Sequence, residues 1–136
     1  MGRVMFISET GFPHSACQVD GEAWYGYKPS IPKSPLAPGV VDRSPRTFHV
    51  KTFVTLEVAD DAIGAAVARV IASYKGDWYC VGVKDCVTFT ADLAEAMGLT
   101  IPPRPNFLPE AFVTNLRRLN FGRLVDGSGP TARNVG

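Results

Sequence analysis

Apolar and polar residues alternate along much of the first 58 positions, which predicts β-strands. One short apolar run covers residues 3–8, and two further extended runs, residues 14–20 and 22–28, meet at the pair Asp20-Gly21. Because an Asp-Gly pair between extended runs favours a tight turn, these two runs are predicted to form a hairpin. A fourth, half-buried strand is predicted over residues 47–58, with Phe48, Val50, Thr52, Val54, Leu56 and Val58 on its buried face.

The spacing of apolar residues changes to a helical period after residue 60. Residues 61–75 are predicted to form a helix with Asp60 or Asp61 as its N-cap. A short strand or turn is predicted at residues 77–83, and a last helix at residues 110–120. The buried stripe of the first helix is predicted to consist of Ile63, Val67, Val70, Ile71 and Tyr74.

Residues 28–46 contain five prolines and are predicted to form a long irregular loop. Such a loop is either a lid or binding segment or a proline-stiffened connection. Strands come first and helices follow, and neither an internal repeat nor a change of composition marks a second domain. The sequence therefore predicts one α+β domain over residues 1–136, with a flexible tail at residues 130–136.

Composition narrows the classes of function. Apolar residues make up 46% of the chain and aromatic residues 10%, which is enough for a packed core. The net charge of +1 gives no support for nucleic-acid binding, and no apolar run is long enough for a transmembrane segment. The N-terminus lacks the pattern of a cleaved signal peptide, so we expect synthesis in the cytoplasm without one.

The cysteine count argues against a disulfide framework, because three cysteines cannot all pair within one chain. With no CxxC pair and only two histidines, the sequence predicts no metal site, and nothing in it indicates a cofactor. A reducing compartment during synthesis is the simplest interpretation. Cys17 and Cys80 are interpreted as packing residues, with a Cys80–Cys86 disulfide as the alternative for Cys80.

Cys86 stands at the start of a predicted helix that has Asp85 as N-cap and ends at Gly98. The unpaired backbone N–H groups and the positive end of the dipole at a helix start lower the pKa of a thiol. The same N–H groups can hold an oxyanion. Cys86 is therefore either a nucleophile or a packing residue on the buried stripe of Phe89, Leu93, Ala96 and Met97.

A cysteine nucleophile needs a base, and only His14 and His49 are available. Both precede Cys86, so a dyad here runs histidine first and cysteine second. His14 opens the first strand of the predicted hairpin, where it can reach the start of a helix packed across the sheet. His49 falls on the polar face of its strand and is interpreted as a surface residue.

The segment Asp85-Cys86-Val87-Thr88-Phe89 resembles the DCxxF cysteine helix of NlpC/P60-like, papain-like cysteine hydrolases. The segment PHSACQVDGEAWYGYKP resembles their GHxxI histidine strand and its hairpin, although Pro13 stands where the family has glycine. Histidine precedes cysteine as in the circularly permuted branch. The resemblance implies a permuted papain-like fold, in which an antiparallel sheet packs against the cysteine helix.

The resemblance also implies roles for individual residues. Cys86 would be the nucleophile and His14 the general base, and Tyr25 would take the place of the family's third polar residue. Trp78 and Tyr79 would line the substrate site, with core packing as the alternative, and Asp85 is grouped with them.

The reaction implied is hydrolysis of a peptide or amide bond through a thioester. The natural substrate of this family is the stem peptide of bacterial peptidoglycan. A small permuted member without a cleaved signal peptide would suit an antibacterial effector, made in the bacterial cytoplasm, exported by a specialised secretion system and countered by a protein inhibitor. The alternatives are a lipid or protein acyltransferase or thioesterase, and a binding module without catalysis.

Overall fold

An open six-stranded antiparallel sheet and three helices form the computed structural model, which describes residues 1–10, 14–46 and 49–125. The elements are β1 (Gly2–Glu9), β2 (Ser15–Val19), β3 (Ala23–Pro29), β4 (Leu36–Asp42), β5 (Val50–Val58), α1 (Asp60–Tyr74), β6 (Trp78–Cys80), α2 (Cys86–Ala96) and α3 (Pro109–Leu119), with a 3-10 turn at Phe121–Arg123. The order of strands across the sheet is β5-β1-β2-β3-β4-β6. None of the helices in these ranges is long and apolar enough to cross a membrane.

The mixed α+β class is confirmed, and so is the hairpin between β2 and β3. Both turn residues have left-handed backbone conformations, with φ of 50° at Asp20 and 71° at Gly21. This geometry matches the right-handed twist of the two strands, which is why Asp-Gly favours it. The Asp20 carboxylate also accepts a hydrogen bond of 2.8 Å from the Arg3 backbone N–H, which fixes the turn against β1.

The prediction of an irregular loop over residues 28–46 is wrong, because this segment contains β4. The prolines argued against a strand in the sequence, because Pro38 has no N–H to donate to the hydrogen-bond ladder of a sheet. In the structure Pro38 needs only its carbonyl, which accepts a hydrogen bond of 2.8 Å from the Ser30 N–H. The strand pairs with β3 through residues 39–42 and with β6 through residues 36–38.

The two faces of the sheet carry separate apolar clusters. The main cluster joins one face to all three helices, and Cys86 belongs to it. The opposite face carries a small cluster of Met5, Ile7, Ala16 and Trp24. The predicted alternation along β5 is confirmed at Val54, Leu56 and Val58, which are fully buried in the main cluster, whereas Phe48 and the predicted tail lie outside the described residues.

The predicted N-cap of α1 is wrong. Ala59 precedes the helix, no side chain caps it, and Asp60 and Asp61 lie within its first turn. Their charges still favour the helix, because acidic groups interact well with the positive end of the dipole. Asp60 additionally pairs with the N-terminal ammonium group of Met1 at 3.3 Å.

Two glycine substitutions are expected to change stability in opposite directions. A Cβ at Gly39 would overlap the hydroxyl of Tyr27, a fully buried residue that cannot withdraw, whereas a Cβ at Gly64 in α1 meets nothing within 4 Å. We expect Gly39→Ala to lower the free energy of unfolding by at least about 1–3 kcal/mol. Gly64→Ala should raise it by about 0.5–1 kcal/mol, through its helix propensity. Urea denaturation of both variants checks this, and equal effects would contradict it.

Candidate active site

Asp85 fixes the start of α2 through a capping box. Its Oδ1 accepts a hydrogen bond of 3.0 Å from the Thr88 backbone N–H, and Thr88 Oγ1 accepts one of 3.2 Å from the Asp85 N–H. Its Oδ2 accepts a third, of 2.8 Å, from the N–H of Gly82 in the preceding turn. The predicted cap is therefore confirmed, and Cys86 is the first helical residue. Asp85 is buried and uses both oxygens in this way, so its predicted contact with substrate stays a prediction.

Removing this cap should loosen the position of Cys86. We expect Asp85→Ala to lower the free energy of unfolding by about 1 kcal/mol, because the Thr88 and Gly82 N–H groups lose their acceptor. Asp85→Asn keeps an oxygen that can accept, so it should lose less. Urea denaturation compares the two, and equal losses would show that the cap bonds are not what Asp85 contributes.

The Cys86 thiol is only 4% exposed, and its pKa is raised to about 11. Burial is the main cause, and the Asp85 charge adds to it. The backbone N–H groups of Ser15 and Val87 and the Tyr79 hydroxyl act in the opposite direction. The expectation of a lowered pKa at the helix start is therefore wrong, because desolvation of the thiolate outweighs the N–H groups. Cys86 is a neutral thiol near pH 7 and requires a base.

Hydrogen bonds tie the first turn of α2 to the first residue of β2. Ser15 Oγ lies 3.1 Å from Thr90 Oγ1, and the Thr90 hydroxyl donates to the Cys86 carbonyl oxygen at 3.1 Å. Both hydroxyls are fully buried. The thiol is thus held beside the peptide unit that joins His14 to Ser15.

His14 lies directly before β2 and is 8% exposed. Its pKa is lowered to about 4, mainly by burial and further by the charges of Arg46 and Lys28, against the opposing charge of Asp42. The ring is therefore neutral near pH 7. Its Nε2 is buried and has no hydrogen-bond partner among the described residues.

The imidazole occupies the face of the sheet opposite Cys86. Nε2 lies 3.3 Å from the position that a Cβ would take on Gly26, on the same face as Ala16. Gly26 therefore provides the space for the ring. No hydrogen bond between His14 and Cys86 occurs among the contacts of the described residues. The structure therefore does not bring the His14 imidazole and the Cys86 thiol together, although the thiol lies beside the peptide unit that follows His14.

Tyr25 does not lie beside His14. It pairs with Cys17 in the register of β2 and β3 and packs against the main cluster, on the opposite face from the imidazole. The Arg43 guanidinium carbon lies 4.3 Å from the centre of its ring, a cation–π contact. Its role as third catalytic group stays a prediction that requires a different arrangement.

Tyr79 connects the two candidate residues, whereas Trp78 does not. Tyr79 is buried, and its hydroxyl and the Cys86 thiol are close enough to shift each other's pKa. The same side chain also lines a cavity of about 270 Å³ that contains His14. Trp78 is 58% exposed and points away from the core, as the alternation along β6 requires.

Sequence reasoning missed the charged groups around His14. Arg46 forms an ion pair with Asp42 and another, at 3.5 Å, with Glu9, and Lys28 lies 3.8 Å from Asp42. Burial raises the pKa of Glu9, with the charges of Arg46 and His49 opposing the rise. Burial also acts to raise the pKa of Asp42, but hydrogen bonds from Ser44 and Arg46 lower it overall. The only sequence signal was the set of basic residues in the segment 28–46.

No family model, curated protein or solved structure matches this chain. Within the described ranges, no group of three or more histidine, cysteine, aspartate and glutamate side chains is placed to hold a metal ion. The candidate site consists of Cys86, His14, Tyr79 and the charged residues that line the cavity.

Proposed function

We propose that this chain is a cysteine hydrolase, with a permuted papain-like fold of the NlpC/P60 type, that cleaves peptide or amide bonds. The observation that carries the proposal is the presence of two features at the start of β2, although their side chains lie on opposite faces of the sheet. A thiol lies at a capped helix start, and a neutral imidazole with an unpartnered nitrogen lies one peptide unit from the strand residue that the helix contacts. Thiol and imidazole are the usual nucleophile and base of acyl transfer.

The proposed reaction requires a conformation in which the backbone before β2 turns His14 to the face of Cys86, and it then begins from a neutral pair. Since the pKa of Cys86 is raised and that of His14 is lowered, the proton moves only as the sulfur attacks the carbonyl carbon, and His14 Nε2 accepts it. The imidazolium then protonates the leaving amine, and the acyl group remains on sulfur as a thioester. Water hydrolyses the thioester with His14 again as base, which restores the thiol and releases a carboxylic acid.

The first turn of α2 supplies donors for the oxyanion. The N–H of Thr88 is already used by the Asp85 cap, whereas those of Cys86 and Val87 belong to the first helical positions, which have no carbonyl partner within the helix. Before reaction the Val87 N–H interacts with the Cys86 sulfur. These two N–H groups lie at the nucleophile and suit the negative oxygen of the tetrahedral intermediate. Tyr79 borders the same position and would line the substrate site.

The proposed substrate is the stem peptide of bacterial peptidoglycan. Purified wild-type protein incubated with peptidoglycan should release soluble fragments that mass spectrometry identifies as products of amide cleavage. Intact peptidoglycan after long incubation would contradict this substrate, and transfer of an acyl group from a thioester lipid to the protein would then favour the acyltransferase alternative. Export by a specialised secretion system and a protein inhibitor in the producing cell belong to the same proposal.

A binding module without catalysis is the second candidate, because the buried thiol has a raised pKa. Mass spectrometry of protein quenched in acid during incubation with a peptide substrate separates the two candidates. A hydrolase should carry an acyl group on Cys86, whereas Cys80, a partly exposed cysteine outside the candidate site, should stay unmodified. Binding of the peptide without any acylation of Cys86 would favour the binding module.

A further inference from the structure

Every buried side-chain nitrogen or oxygen without a hydrogen-bond partner in the described ranges lies at one cavity. These atoms are Glu9 Oε1, His14 Nε2 and Arg46 Nε. All three residues line the cavity of about 270 Å³, where β1 ends and β2 begins. Because buried polar groups are normally paired, such a cluster indicates a place where a polar ligand binds.

The geometry of the Glu9–Arg46 pair shows why both groups remain available. Arg46 Nε and Glu9 Oε1 are 3.5 Å apart, close enough for attraction between charges but without a hydrogen bond. The Glu9 side chain is only 10% exposed, so its oxygen is shielded from solvent. It can accept a hydrogen bond from a ligand N–H that enters the cavity.

The wall of the cavity is positively charged. The lining contains three basic residues, Lys28, Lys33 and Arg46. Glu9 is its only acidic residue. Asp42 lies behind this wall, where it pairs with Arg46 and Lys28. Lys33 forms no ion pair with any residue of the described ranges, and its side chain is exposed. A negative group at the mouth of the cavity would therefore be attracted by two lysines.

The backbone at Lys33 is also unusual, with a φ of 62°. A left-handed backbone conformation is uncommon for residues other than glycine, asparagine and aspartate. Where it does occur, it is concentrated at functional sites such as ligand-binding segments. The segment that carries Lys33 also supplies Pro29, Ser30 and Pro32 to the lining.

We propose that this cavity binds the C-terminal residue of a peptide, with its carboxylate held by Lys28 and Lys33 and its backbone N–H by Glu9. Two groups of the ligand complement the site: its carboxylate meets ammonium groups, and its N–H meets an unpartnered carboxylate oxygen. Arg46 holds Glu9 in place through their ion pair. A phosphate ion offers no N–H for Glu9, whereas a peptide end carries both the carboxylate and the N–H, so the chemistry favours a peptide end.

The cavity joins the candidate active site through Tyr79, which lines the cavity and borders Cys86. A C-terminal residue bound there would place the amide bond on its N-terminal side toward the thiol. This orientation rests on the proposed hydrolase function, whereas the binding of the peptide end does not. The substrates would then be peptides with a free carboxylate close to the cleaved bond.

Binding to the Cys86→Ala variant tests the proposal without catalysis. The probes are acetyl-alanyl-alanine and its C-terminal carboxamide, each added at millimolar concentrations. Their binding is measured from changes in the NMR signals of the His14 ring. The acid should bind at least about tenfold more tightly than the carboxamide, since it makes charge-assisted hydrogen bonds. The bound carboxylate should also raise the pKa of His14 from about 4, because a nearby negative charge favours imidazolium.

Two matched substitutions provide the control. Lys33→Gln, on the Cys86→Ala background, should weaken binding of the acid by about three- to fivefold, as expected for an exposed charge. Lys75→Gln removes an exposed lysine at the end of α1 and should leave it unchanged. Equal binding of acid and carboxamide, or no binding of either, overturns the proposal even if the wild type cleaves peptidoglycan. Selective binding of the acid by a protein that cleaves nothing upholds it and overturns the hydrolase function instead.

Discussion

Serine in place of Cys86 is expected to lower the rate of substrate cleavage by at least about a thousandfold. The reason lies in the acid–base balance of the pair. With a pKa of about 4, His14 is a weak base, and it can assist a thiol far better than a hydroxyl, which holds its proton more strongly. The serine hydroxyl would occupy nearly the same space, so the loss should come from chemistry. The measurement is the initial rate of fragment release from peptidoglycan, with urea denaturation to confirm that Cys86→Ser folds.

Cys80→Ser is the matched control for this variant. Cys80 lies on β6, is partly exposed, and its sulfur makes only a weak contact of 3.9 Å with the Val81 carbonyl oxygen. Its replacement should change the rate less than twofold. Cleavage by Cys86→Ser at the wild-type rate would show that the thiol is not the nucleophile, and the hydrolase proposal would lose its central residue.

The contacts around Cys86 fix the position that the proposed nucleophile occupies. The Asp85 cap fixes the helix start, and the Ser15–Thr90 contact fixes that start against β2. Neither contact uses the sulfur, and the N–H groups and the Tyr79 hydroxyl that favour its charge are outweighed by burial. In the proposed mechanism the thiolate therefore forms only when substrate and base are present, which limits the side reactions that an exposed, permanently charged cysteine undergoes.

Local sequence signals predicted the local structure well. The turn at Asp20-Gly21 and the cap at Asp85 each depend on a few neighbouring residues, and both are confirmed. The strand β4 was missed because its stability comes from neighbours on both sides rather than from its own proline-containing sequence. The cap of α1 was misplaced by one or two residues, because acidic residues suit both the cap and the first turn.

The environment of the candidate site could not be predicted from the sequence. The direction of the Cys86 pKa depends on burial by side chains from distant segments, which no pattern near residue 86 reveals. Glu9, Asp42 and Arg46 come near His14 only because the end of β1, the start of β2 and the end of β4 lie at the same edge of the sheet, with β3 between β2 and β4. The face that His14 occupies follows from the register of β2 and β3, and a register is not readable from one strand.

The stability of the wild type is expected to fall between pH 6.5 and 4 through His14. The unfolded imidazole has a pKa near 6.5 and the folded one about 4, so in this window the unfolded chain binds a proton that the folded chain does not. The contribution of neutral His14 to the free energy of unfolding is fully present above pH 6.5 and is lost as the pH falls toward 4. Well below pH 4 it changes no further. A difference of about 2.5 pH units corresponds to about 3 kcal/mol in the free energy of unfolding.

Urea denaturation of the wild type and of His14→Gln at pH 7, 5.5 and 4 measures this effect. Glu9, Asp42, Lys28 and Arg46 face the imidazole and titrate or stay charged in both proteins, so the difference between the two pH dependences isolates His14. His49→Gln, at an exposed position, should follow the wild type. If His14→Gln lost as much stability on acidification as the wild type, burial would not lower the pKa of His14 in the folded protein. The proposed reaction would then begin from a histidine of ordinary basicity rather than from a weak base.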